Sequence, residues 1–367
     1  MLRTIGLMSG TSLDGVDAAW LETDGVRIGR FGPRLTLPYS DGFRAELRMI
    51  CDLAPALTST DARLAGAVAR ITDHHARAVA SLGEAADLIG FHGQTILHRP
   101  AERRTWQIGD ATRLASITGT RTAYNFRVAD VAAGGEGAPL APVFHRALAA
   151  TLAKPLAVLN IGGVANLTWL ARSGEMVAFD TGPGNGLLDD WIKRRTGAPI
   201  DRDGAIARAG RVDGTALAKL MDDPYFERPY PKSLDRLDFS ARLAASGLDR
   251  LSTADGAATL VAFTARAVEK AAAAFPEPPR RWLVSGGGRH NPVIMQALRD
   301  ALASPVEPVE AVGWDGDCLE AQCFGFLAAR VAAGLPLTFP TTTGVSRPLP
   351  GGTIADVGFR DSTRHSR

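Results

Sequence analysis

The sequence predicts an α/β fold built from two related lobes, and three observations lead to this prediction. Its 367 residues exceed one ordinary compact core, since a domain holds roughly 150 residues. Short apolar runs that suit strands alternate with amphipathic runs that suit helices. The strand, turn and strand at the N-terminus are followed by a similar arrangement that begins at Leu156. Two topologically similar halves are therefore expected.

The first lobe is expected to open with a β-hairpin. Two apolar runs, 4–8 and 16–21, flank a polar, Gly-rich turn. Asp61 can cap a long amphipathic helix, because the apolar residues that follow it recur mostly at spacings of three and four. The other elements predicted in this part of the chain are strands at 86–92, 106–108 and 122–125 and a helix at about 140–152.

The second lobe is expected to repeat the opening pattern. An apolar strand within 156–163 and a second at 166–171 precede a third strand, 176–180, that ends at Asp180. The elements predicted after it are helices at about 184–196, 214–222 and 253–274, a strand within 281–287, a helix after Pro292 and a last helix around 318–333.

Composition and charge exclude several classes of partner. Lys and Arg number 41 against 39 Asp and Glu, so no basic field favours nucleic acid or anionic lipid. No apolar run approaches the about 18 residues of a membrane span, and the N-terminus lacks the apolar core of an export signal. Cys51, Cys318 and Cys323 are an odd number without CxxC spacing. These features favour a cytoplasmic protein without a disulfide framework or a zinc site.

The segment GTSLDGVD lies between the first two predicted strands. A tight turn there can bring backbone N–H groups and the hydroxyls of Thr11 and Ser12 onto a phosphate, while Asp14 or Asp17 can hold a hydrated magnesium ion. The alternative is a plain hairpin turn. The segment matches neither a P-loop nor a dinucleotide-binding fingerprint. The candidate nucleotide-binding residues here are Gly10, Thr11, Ser12, Leu13, Asp14, Gly15, Val16 and Asp17.

The segment FDTGPGN places Asp180 at a predicted strand end, before a turn that leads into a helix. An acid at such an edge faces the ligand side of an α/β sheet, and a general base must reach the proton it removes. The alternative is an Asp that caps the helix or forms the turn. The constrained turn favours the interpretation as a catalytic base.

Two further Gly-rich segments, NIGG and SGGGRHNP, follow predicted strands. Glycines without side chains let a nucleoside or a phosphate approach the backbone closely. An ordinary strand-to-helix connection is the alternative for each segment. The candidate nucleotide-binding residues in this half of the chain are Asn160, Gly162, Gly163, Gly184, Gly286, Gly287 and Gly288.

Polar residues beyond the predicted strands are candidates for substrate contact. FHGQT supplies His92 and Gln94, and the long Gly-rich connection 125–142 supplies Arg127 and Asp130. Glu320 can turn an acid into the site from the last helix. Histidine spacings do not support a metal site. In PYPKSLDR, Lys232 can reach a phosphate or a sugar, although a solvated loop lysine is the commoner role.

Taken together, GTSLDGVD, FHGQT, QIGD, NFRVADVAAGGEGAPLAP, NIGGVANLT, FDTGPGN, SGGGRHNP and DCLEAQCFGFLAAR resemble the anhydro-N-acetylmuramic acid kinase family in identity and order. The resemblance implies the sugar kinase, Hsp70 and actin superfamily, with duplicated ribonuclease H-like lobes. Each lobe would carry a five-stranded mixed sheet flanked by helices, with nucleotide in the interlobe cleft. The expected lobes are 1–127, completed by 335–367, and 128–334, which would carry the nucleotide and the base.

The resemblance also implies a reaction that uses ATP and Mg. Water opens the 1,6-anhydro bridge of the amino sugar while the γ-phosphate passes to O6, giving N-acetylmuramic acid 6-phosphate for peptidoglycan recycling. Asp180 would deprotonate the water, Asp14 would bind Mg, and the protein would be a homodimer. The residues expected around the sugar are His92, Gln94, Arg127, Asp130 and Glu320.

One segment departs from the family pattern. Where the family is expected to read near KSTGRE, this chain reads KSLDRLDF, so the match ends after Ser233. A sugar contact at that place is therefore not supported by the resemblance. The alternatives to the kinase are an actin- or Hsp70-like ATPase, whose closure would drive assembly or peptide binding, and a polyphosphatase of the same superfamily.

Overall fold

The computed structural model describes residues 1–10, 12–234 and 239–357. Packing divides the chain into two compact units. Unit 1 comprises Met1–Leu148, Glu320–Pro340 and the chain from Gly344 onward, and unit 2 comprises Ala149–Leu319 and Thr341–Thr343. This division differs from the boundary expected at residue 127, because 128–148 and 320–334 pack with unit 1.

The strands of the described residues are β1 (Leu2–Ser9), β2 (Gly15–Thr23), β3 (Ile28–Pro38), β4 (Leu88–Arg99), β5 (Arg104–Ile108), β6 (Thr122–Tyr124), β7 (Leu156–Ile161), β8 (Val164–Leu170), β9 (Met176–Pro183), β10 (Trp282–Ser285), β11 (Val306–Pro308) and β12 (Thr353–Ala355). The α-helices of the same residues are α1 (Asp41–Leu53), α2 (Ala62–Leu82), α3 (Ala111–Thr118), α4 (Val128–Ala132), α5 (Pro142–Leu148), α6 (Gly186–Thr196), α7 (Ala205–Ala209), α8 (Gly214–Met221), α9 (Ser240–Ser246), α10 (Thr253–Ala272), α11 (Pro292–Ala301), α12 (Leu319–Ala332) and α13 (Pro340–Thr343). None of these helices is long and apolar enough to cross a membrane.

The two sheets share one topology. In unit 1 the order β3-β2-β1-β4-β6 has antiparallel pairs up to β1 and parallel pairs beyond it. In unit 2 the order β9-β8-β7-β10-β11 repeats the same directions. In the described residues β5 and β12 extend the first sheet to seven strands, whereas the second has five. The α/β fold with duplicated mixed sheets is confirmed.

Local predictions at the start of the chain are also confirmed. β1 and β2 form the expected antiparallel hairpin, with Met8 opposite Asp17. The Asp61 side chain accepts a hydrogen bond from the backbone N–H of Arg63 at 3.0 Å and caps α2. Along α2, buried residues such as Leu64 and Ile71 join the hydrophobic core of unit 1. The spacing of apolar residues therefore predicted correctly which face of α2 packs against the core.

Helix α12 packs unusually close to the sheet of unit 1. A Cβ atom added to Gly6 would lie 1.7 Å from the backbone oxygen of Ala321, and one added to Gly90 would lie 2.0 Å from that of Phe324. Both glycines are therefore needed for this backbone-to-backbone approach. The approach fixes the N-terminal turn of α12, which carries Glu320, relative to β1 and β4.

Candidate functional site

Three Gly-rich segments of unit 2 lie side by side. β7 and β10 are parallel neighbours with Asn160 opposite Ser285, so NIGG and SGGG leave the sheet together. The backbone N–H groups of Gly184 and Asn185 donate to the carbonyls of Gly163 and Gly162 at 3.0 and 2.8 Å. The sequence-predicted nucleotide residues of this half are thus brought together within one unit.

The glycines of this cluster fall into two classes. A Cβ atom on Gly184 would lie 2.1 Å from the carbonyl oxygen of Gly162, and one on Gly288 would lie 2.3 Å from Ile161 Cγ2. These two glycines are required by packing. A Cβ atom on Gly163 or Gly287 would meet no atom within 4 Å. The backbone at these two positions is exposed and can be approached closely by a ligand.

Asp180 lies inside β9 and not at its end. The strand continues to Pro183, so the predicted strand end at Asp180 is wrong. Asp180 pairs with Asn166, but Gly182 pairs with Ala165, which leaves Thr181 as an extra residue in the ladder. Such bulges redirect neighbouring side chains and are common beside active sites. The strand was predicted too short because the Gly-Pro-Gly motif that follows Asp180 is typical of a turn.

The chain segment 225–234 surrounds Asp180. The backbone N–H of Asp180 donates to the carbonyl of Lys232 at 3.0 Å. Its carboxylate oxygen Oδ2 accepts from the N–H of Leu234 at 2.8 Å, and its carbonyl accepts from the Tyr225 hydroxyl at 2.5 Å. Both the backbone and the carboxylate of the predicted base are therefore held in place.

In unit 1, Gly10 and Ser12 to Asp14 lie in the connection between β1 and β2, whereas Gly15, Val16 and Asp17 begin β2. Thr11 lies outside the described residues. Leu13 adopts a left-handed conformation with φ of 59°, and its side chain is buried with that of Val16 in the core. Only the backbone of these two residues remains for contact with a nucleotide. Ser12 and Asp14 are exposed, whereas Gly10, Gly15 and Asp17 are half-buried.

The side chain of Gln94 supports this turn through hydrogen bonds to Gly10 and Ser9. It is fully buried, and its amide donates to the carbonyls of Gly10 and Thr95 at 3.2 and 3.1 Å. Its side-chain oxygen accepts from the Ser9 hydroxyl at 2.6 Å, and Ser9 also contacts the Tyr39 hydroxyl at 3.0 Å. The structure thus gives Gln94 a bracing role at the turn, while its contact with a substrate stays a prediction.

The two carboxylates proposed for magnesium already have partners. Asp14 forms an ion pair with Arg44 at 2.6 Å, and Asp17 accepts from the Thr36 hydroxyl at 2.6 Å. The described residues contain no group of three or more His, Cys, Asp and Glu side chains that could hold a metal ion. These side chains therefore do not form a complete metal site by themselves, although Mg²⁺ commonly uses one or two carboxylates together with phosphate oxygens.

His92, Arg127 and Asp130 form a hydrogen-bonded chain. The Arg127 Nε donates to His92 Nε2 at 3.0 Å, and its Nη1 donates to the carbonyl of Gly137 at 2.8 Å. The N–H of Gly137 in turn donates to Asp130 Oδ1 at 2.6 Å. Burial, followed by the charge of Arg127, holds the pKa of His92 well below its usual value, so the ring is neutral.

Glu320 lies on the first turn of α12. Its side chain is exposed, but the protein around it still removes bulk water, and this desolvation raises its pKa. The charge of Arg127 opposes the shift and that of Asp17 adds to it. In unit 1 the predicted substrate residues His92, Arg127 and Asp130 are therefore linked by hydrogen bonds, and Glu320 is coupled to them through the field of Arg127.

Comparison with known proteins identifies the family. The family model described as anhydro-N-acetylmuramic acid kinase matches residues 2–356. An anhydro-N-acetylmuramic acid kinase of Acidiphilium cryptum is 63% identical over 97% of this chain and 99% of its own length. The chain belongs to the anhydro-N-acetylmuramic acid kinase family. Another relative of that name, from Rhodospirillum rubrum, is 54% identical over 95% of this chain and 93% of its own length.

Solved structures resemble this anhydro-N-acetylmuramic acid kinase family member more distantly. An activator of 2-hydroxyisocaproyl-CoA dehydratase from Clostridium difficile, with bound ADPNP, has a TM-score of 0.45 and 11% identity, over 90% of this chain and 96% of that one. A ROK family glucokinase from Streptomyces griseus has a TM-score of 0.40 and 13% identity, over 89% and 99%. The family assignment rests on the sequence relatives.

Lys232, which matches the expected kinase family motif just before this chain departs from it after Ser233, is not a solvated loop lysine. Its side chain is buried, and Nζ donates to the carbonyls of Tyr225 and Phe226 at 2.9 and 3.4 Å. Tyr225 and Ser9, which support Asp180 and Gln94, were missed by reasoning from sequence. The aromatic residues close before Lys232 were the available indication that its stem and ammonium would be covered.

Proposed function

We propose that this protein is an ATP-dependent kinase that acts on 1,6-anhydro-N-acetylmuramic acid. The observation that carries the proposal is the family match over residues 2–356, joined by relatives of 63% and 54% identity over almost their whole length. The exposed glycine backbone in unit 2 and the hydrogen-bonded chain of His92, Arg127 and Asp130 in unit 1 are consistent with contacts for the nucleotide and for the sugar.

In the proposed reaction Asp180 takes a proton from a water molecule, whose oxygen attacks the anomeric carbon C1 of the sugar. The bond between C1 and the bridging oxygen breaks, and its electron pair remains on O6. This oxygen attacks the γ-phosphorus of ATP, the bond to the β-phosphate oxygen breaks, and ADP leaves. The products are N-acetylmuramic acid 6-phosphate and ADP. The contact from Leu234 N–H to Asp180 supports this role, because it orients the carboxylate.

We assign nucleotide contacts to the exposed backbone of Gly163 and Gly287 and to the turn from Gly10 to Asp17. Phosphoryl transfer depends mainly on alignment and on charge stabilisation, so backbone N–H groups suit the task. Mg²⁺ bound with ATP would neutralise phosphate charge, and Asp14 is the proposed protein ligand. That assignment requires Asp14 to exchange its ion pair with Arg44 for the metal.

The sugar contacts are assigned to the residues linked through Arg127. N-acetylmuramic acid carries a lactyl carboxylate, and the guanidinium of Arg127 is of the opposite charge. Neutral His92 holds that guanidinium without competing for the anion. Glu320, with its raised pKa, can exchange a proton near the sugar more readily than an ordinary surface glutamate. Gln94 and Asp130 complete the proposed set.

We further propose that the protein works in the cytoplasm as a homodimer. Cys51, Cys318 and Cys323 are free thiols in the structure, which is consistent with a reducing compartment. Dimer formation is proposed from the family resemblance alone. Analytical ultracentrifugation of the purified chain would test it, and a single species at the mass of one chain would contradict it.

Incubation with ATP, Mg²⁺ and the anhydro sugar in oxygen-18 water tests the reaction. One labelled oxygen at C1 and an unlabelled phosphate at O6 are expected, because water attacks carbon while phosphorus is attacked by O6. Release of ADP and free phosphate without sugar would instead support the ATPase alternative. Phosphate release from polyphosphate, with no phosphorylated sugar, would support the polyphosphatase alternative.

A further inference from the structure

Lys232 is a buried cation in a place where burial is costly. Its side chain is 6% exposed, and the structure pairs its ammonium with backbone carbonyls. The pKa of Lys232 is lowered to about 8, mainly by its removal from water; the charges of Arg228 and Lys270 contribute to this lowering, and the exposed Glu227 opposes it. The ammonium also lies 4.6 Å from the centre of the Tyr225 ring. A solvent-exposed lysine would avoid this desolvation, so its buried position requires a compensating role.

The two carbonyls bound by Lys232 belong to a short 3-10 helix, Pro224–Glu227. The Tyr225 carbonyl also accepts from the backbone N–H of Arg228 at 3.2 Å, and the ammonium of Lys232 adds a charged donor at this C-terminal end of the helix, where a cation is favoured by the helix dipole. At the other end, Asp223 accepts from the N–H of Tyr225 at 2.9 Å and from Arg242 Nε at 2.9 Å. Tyr225 is therefore fixed through its own N–H and carbonyl.

Tyr225 in turn contacts Asp180. Its hydroxyl donates to the carbonyl of Asp180, and its ring is buried against Phe226 and Phe239. The main chain on either side of the Lys232 side chain makes the other contacts, since Lys232 carbonyl accepts from Asp180 N–H and Leu234 N–H donates to the carboxylate. One lysine side chain thus closes a loop of hydrogen bonds that begins and ends at Asp180.

We propose that Lys232 and Tyr225 are positioning residues for Asp180, which they hold by fixing segment 225–234 around both its backbone and its carboxylate. The inference rests on the proposed function, in which Asp180 is the base. Neither residue is assigned a contact with substrate. They affect the orientation of the Asp180 carboxylate, because the Leu234 N–H reaches Oδ2 only while segment 225–234 keeps this backbone conformation.

The test compares Tyr225→Phe, Lys232→Met and Lys232→Arg with the wild type. Tyr225→Phe removes one hydroxyl, and Lys232→Met keeps most of the unbranched side chain without its donors. We expect kcat to fall about 10- to 100-fold in both, with the KM for ATP changed by less than about twofold. Lys232→Arg retains donors and should recover part of the lost kcat.

The pH profile separates positioning from a general loss of structure. Loss of the Leu234 N–H bond disfavours the charged carboxylate, so the acid limb of kcat should move to higher pH in Tyr225→Phe and Lys232→Met. Tyr124→Phe and Lys219→Met make the same chemical changes at positions outside the site and should leave kcat and the profile unchanged. A fall in kcat without movement of the acid limb would contradict the inference.

Two outcomes distinguish failure of the inference from failure of the proposed function. If Asp180→Asn abolishes product formation while Tyr225→Phe keeps wild-type kcat, Asp180 is the base and the positioning role is wrong. If Asp180→Asn retains wild-type turnover, the proposed role of Asp180 itself is wrong. Thermal unfolding of each variant shows whether it folds, and Tyr225→Phe keeps the test decisive if Lys232→Met does not.

Discussion

Arg127 donates its Nε–H to Nε2 of the buried, neutral His92 at 3.0 Å. The acceptor role of Nε2 follows from the other ring nitrogen, because Nδ1 faces the carbonyl of Gly93 at 2.9 Å and must carry the proton there. The guanidinium is thus oriented by a neutral partner and keeps its full positive charge. This arrangement suits recognition of an anionic group of the substrate.

Arg127→Lys should therefore weaken sugar binding. Lysine keeps the positive charge but lacks the planar guanidinium that donates to His92 and to the Gly137 carbonyl at the same time. We expect the KM for the anhydro sugar to rise about tenfold while that for ATP is unchanged. Steady-state kinetics with each substrate varied will show this. Arg121→Lys, at an exposed ion pair with Asp356, is the matched control. An unchanged sugar KM in Arg127→Lys would remove Arg127 from the sugar site.

Asp180→Asn should lower turnover while ATP still binds. The amide accepts the Leu234 hydrogen bond but cannot take a proton, so kcat should fall about 10²- to 10⁴-fold. Single-turnover kinetics measure the loss, and calorimetric titration measures ATP affinity. Asp300→Asn, on the surface of α11, makes the same change away from the site. Near-normal turnover in Asp180→Asn would disprove the role of base.

Asp14→Ala should raise the concentration of Mg²⁺ or ATP needed for half-maximal rate. The reason is the proposed metal role of Asp14, which competes with its ion pair to Arg44. Asp41→Ala is the control, since Asp41 is a fully exposed second partner of Arg44 at 3.9 Å. Arg44→Met breaks the ion pair but keeps the carboxylate. If it reproduces the effect of Asp14→Ala, the ion pair is responsible and the metal role is wrong.

Gly287→Ala and Gly288→Ala should affect different properties. A Cβ atom at Gly287 meets no protein atom within 4 Å, so the fold should tolerate it, but the KM for ATP should rise if nucleotide covers this backbone. At Gly288 it would lie 2.3 Å from Ile161 Cγ2, and overpacking should cost about 1–3 kcal/mol of unfolding free energy. Thermal unfolding and ATP kinetics on both variants separate the effects. An unchanged ATP KM in Gly287→Ala would argue against a nucleotide at Gly287.

His75→Leu should make the protein less sensitive to acid. Burial lowers the pKa of His75 from 6.5 to about 4, so between these values the unfolded chain binds a proton that the folded chain does not. Stability from this group is complete above pH 6.5 and is lost as pH falls toward 4. Nδ1 bonds only the Ile71 carbonyl one helical turn away, and Nε2 has no hydrogen-bond partner, so leucine loses little.

Denaturant unfolding at pH 8 and pH 5 measures the effect of His75→Leu. At pH 8 the histidine is neutral in both states, and this measurement serves as the baseline. At pH 5 the variant should take up about one proton fewer on unfolding than the wild type. The buried His145, whose pKa burial also lowers to about 4, and His92 retain the remaining acid sensitivity. An equal proton uptake by wild type and variant would contradict the prediction.

Patterns along the chain predicted much of the architecture but fewer of the contacts. The alternation of strands and helices located most elements, since apolar spacing reports which face is buried. The third strand of unit 2 was predicted too short, because Gly and Pro after Asp180 also occur at the end of an edge strand. The predicted boundary at residue 127 differs from the packing. Helix α12 packs on the sheet of unit 1 although it is distant from that sheet in sequence, and such long-range packing cannot be read from local patterns.

The sequence by itself determined the family, the repeated order of elements and the residue types offered for chemistry. Ordered motifs persist in sequence, because each needs particular residues at fixed spacing. Only the tertiary structure decided which of these residues have partners: Asp180 held by segment 225–234, Lys232 buried on carbonyls, and Gln94 bracing the Gly10 turn. The partners of Asp180 and Gln94 are far from them along the chain, and the free energy of a buried polar group such as the Lys232 ammonium depends on what folding places around it.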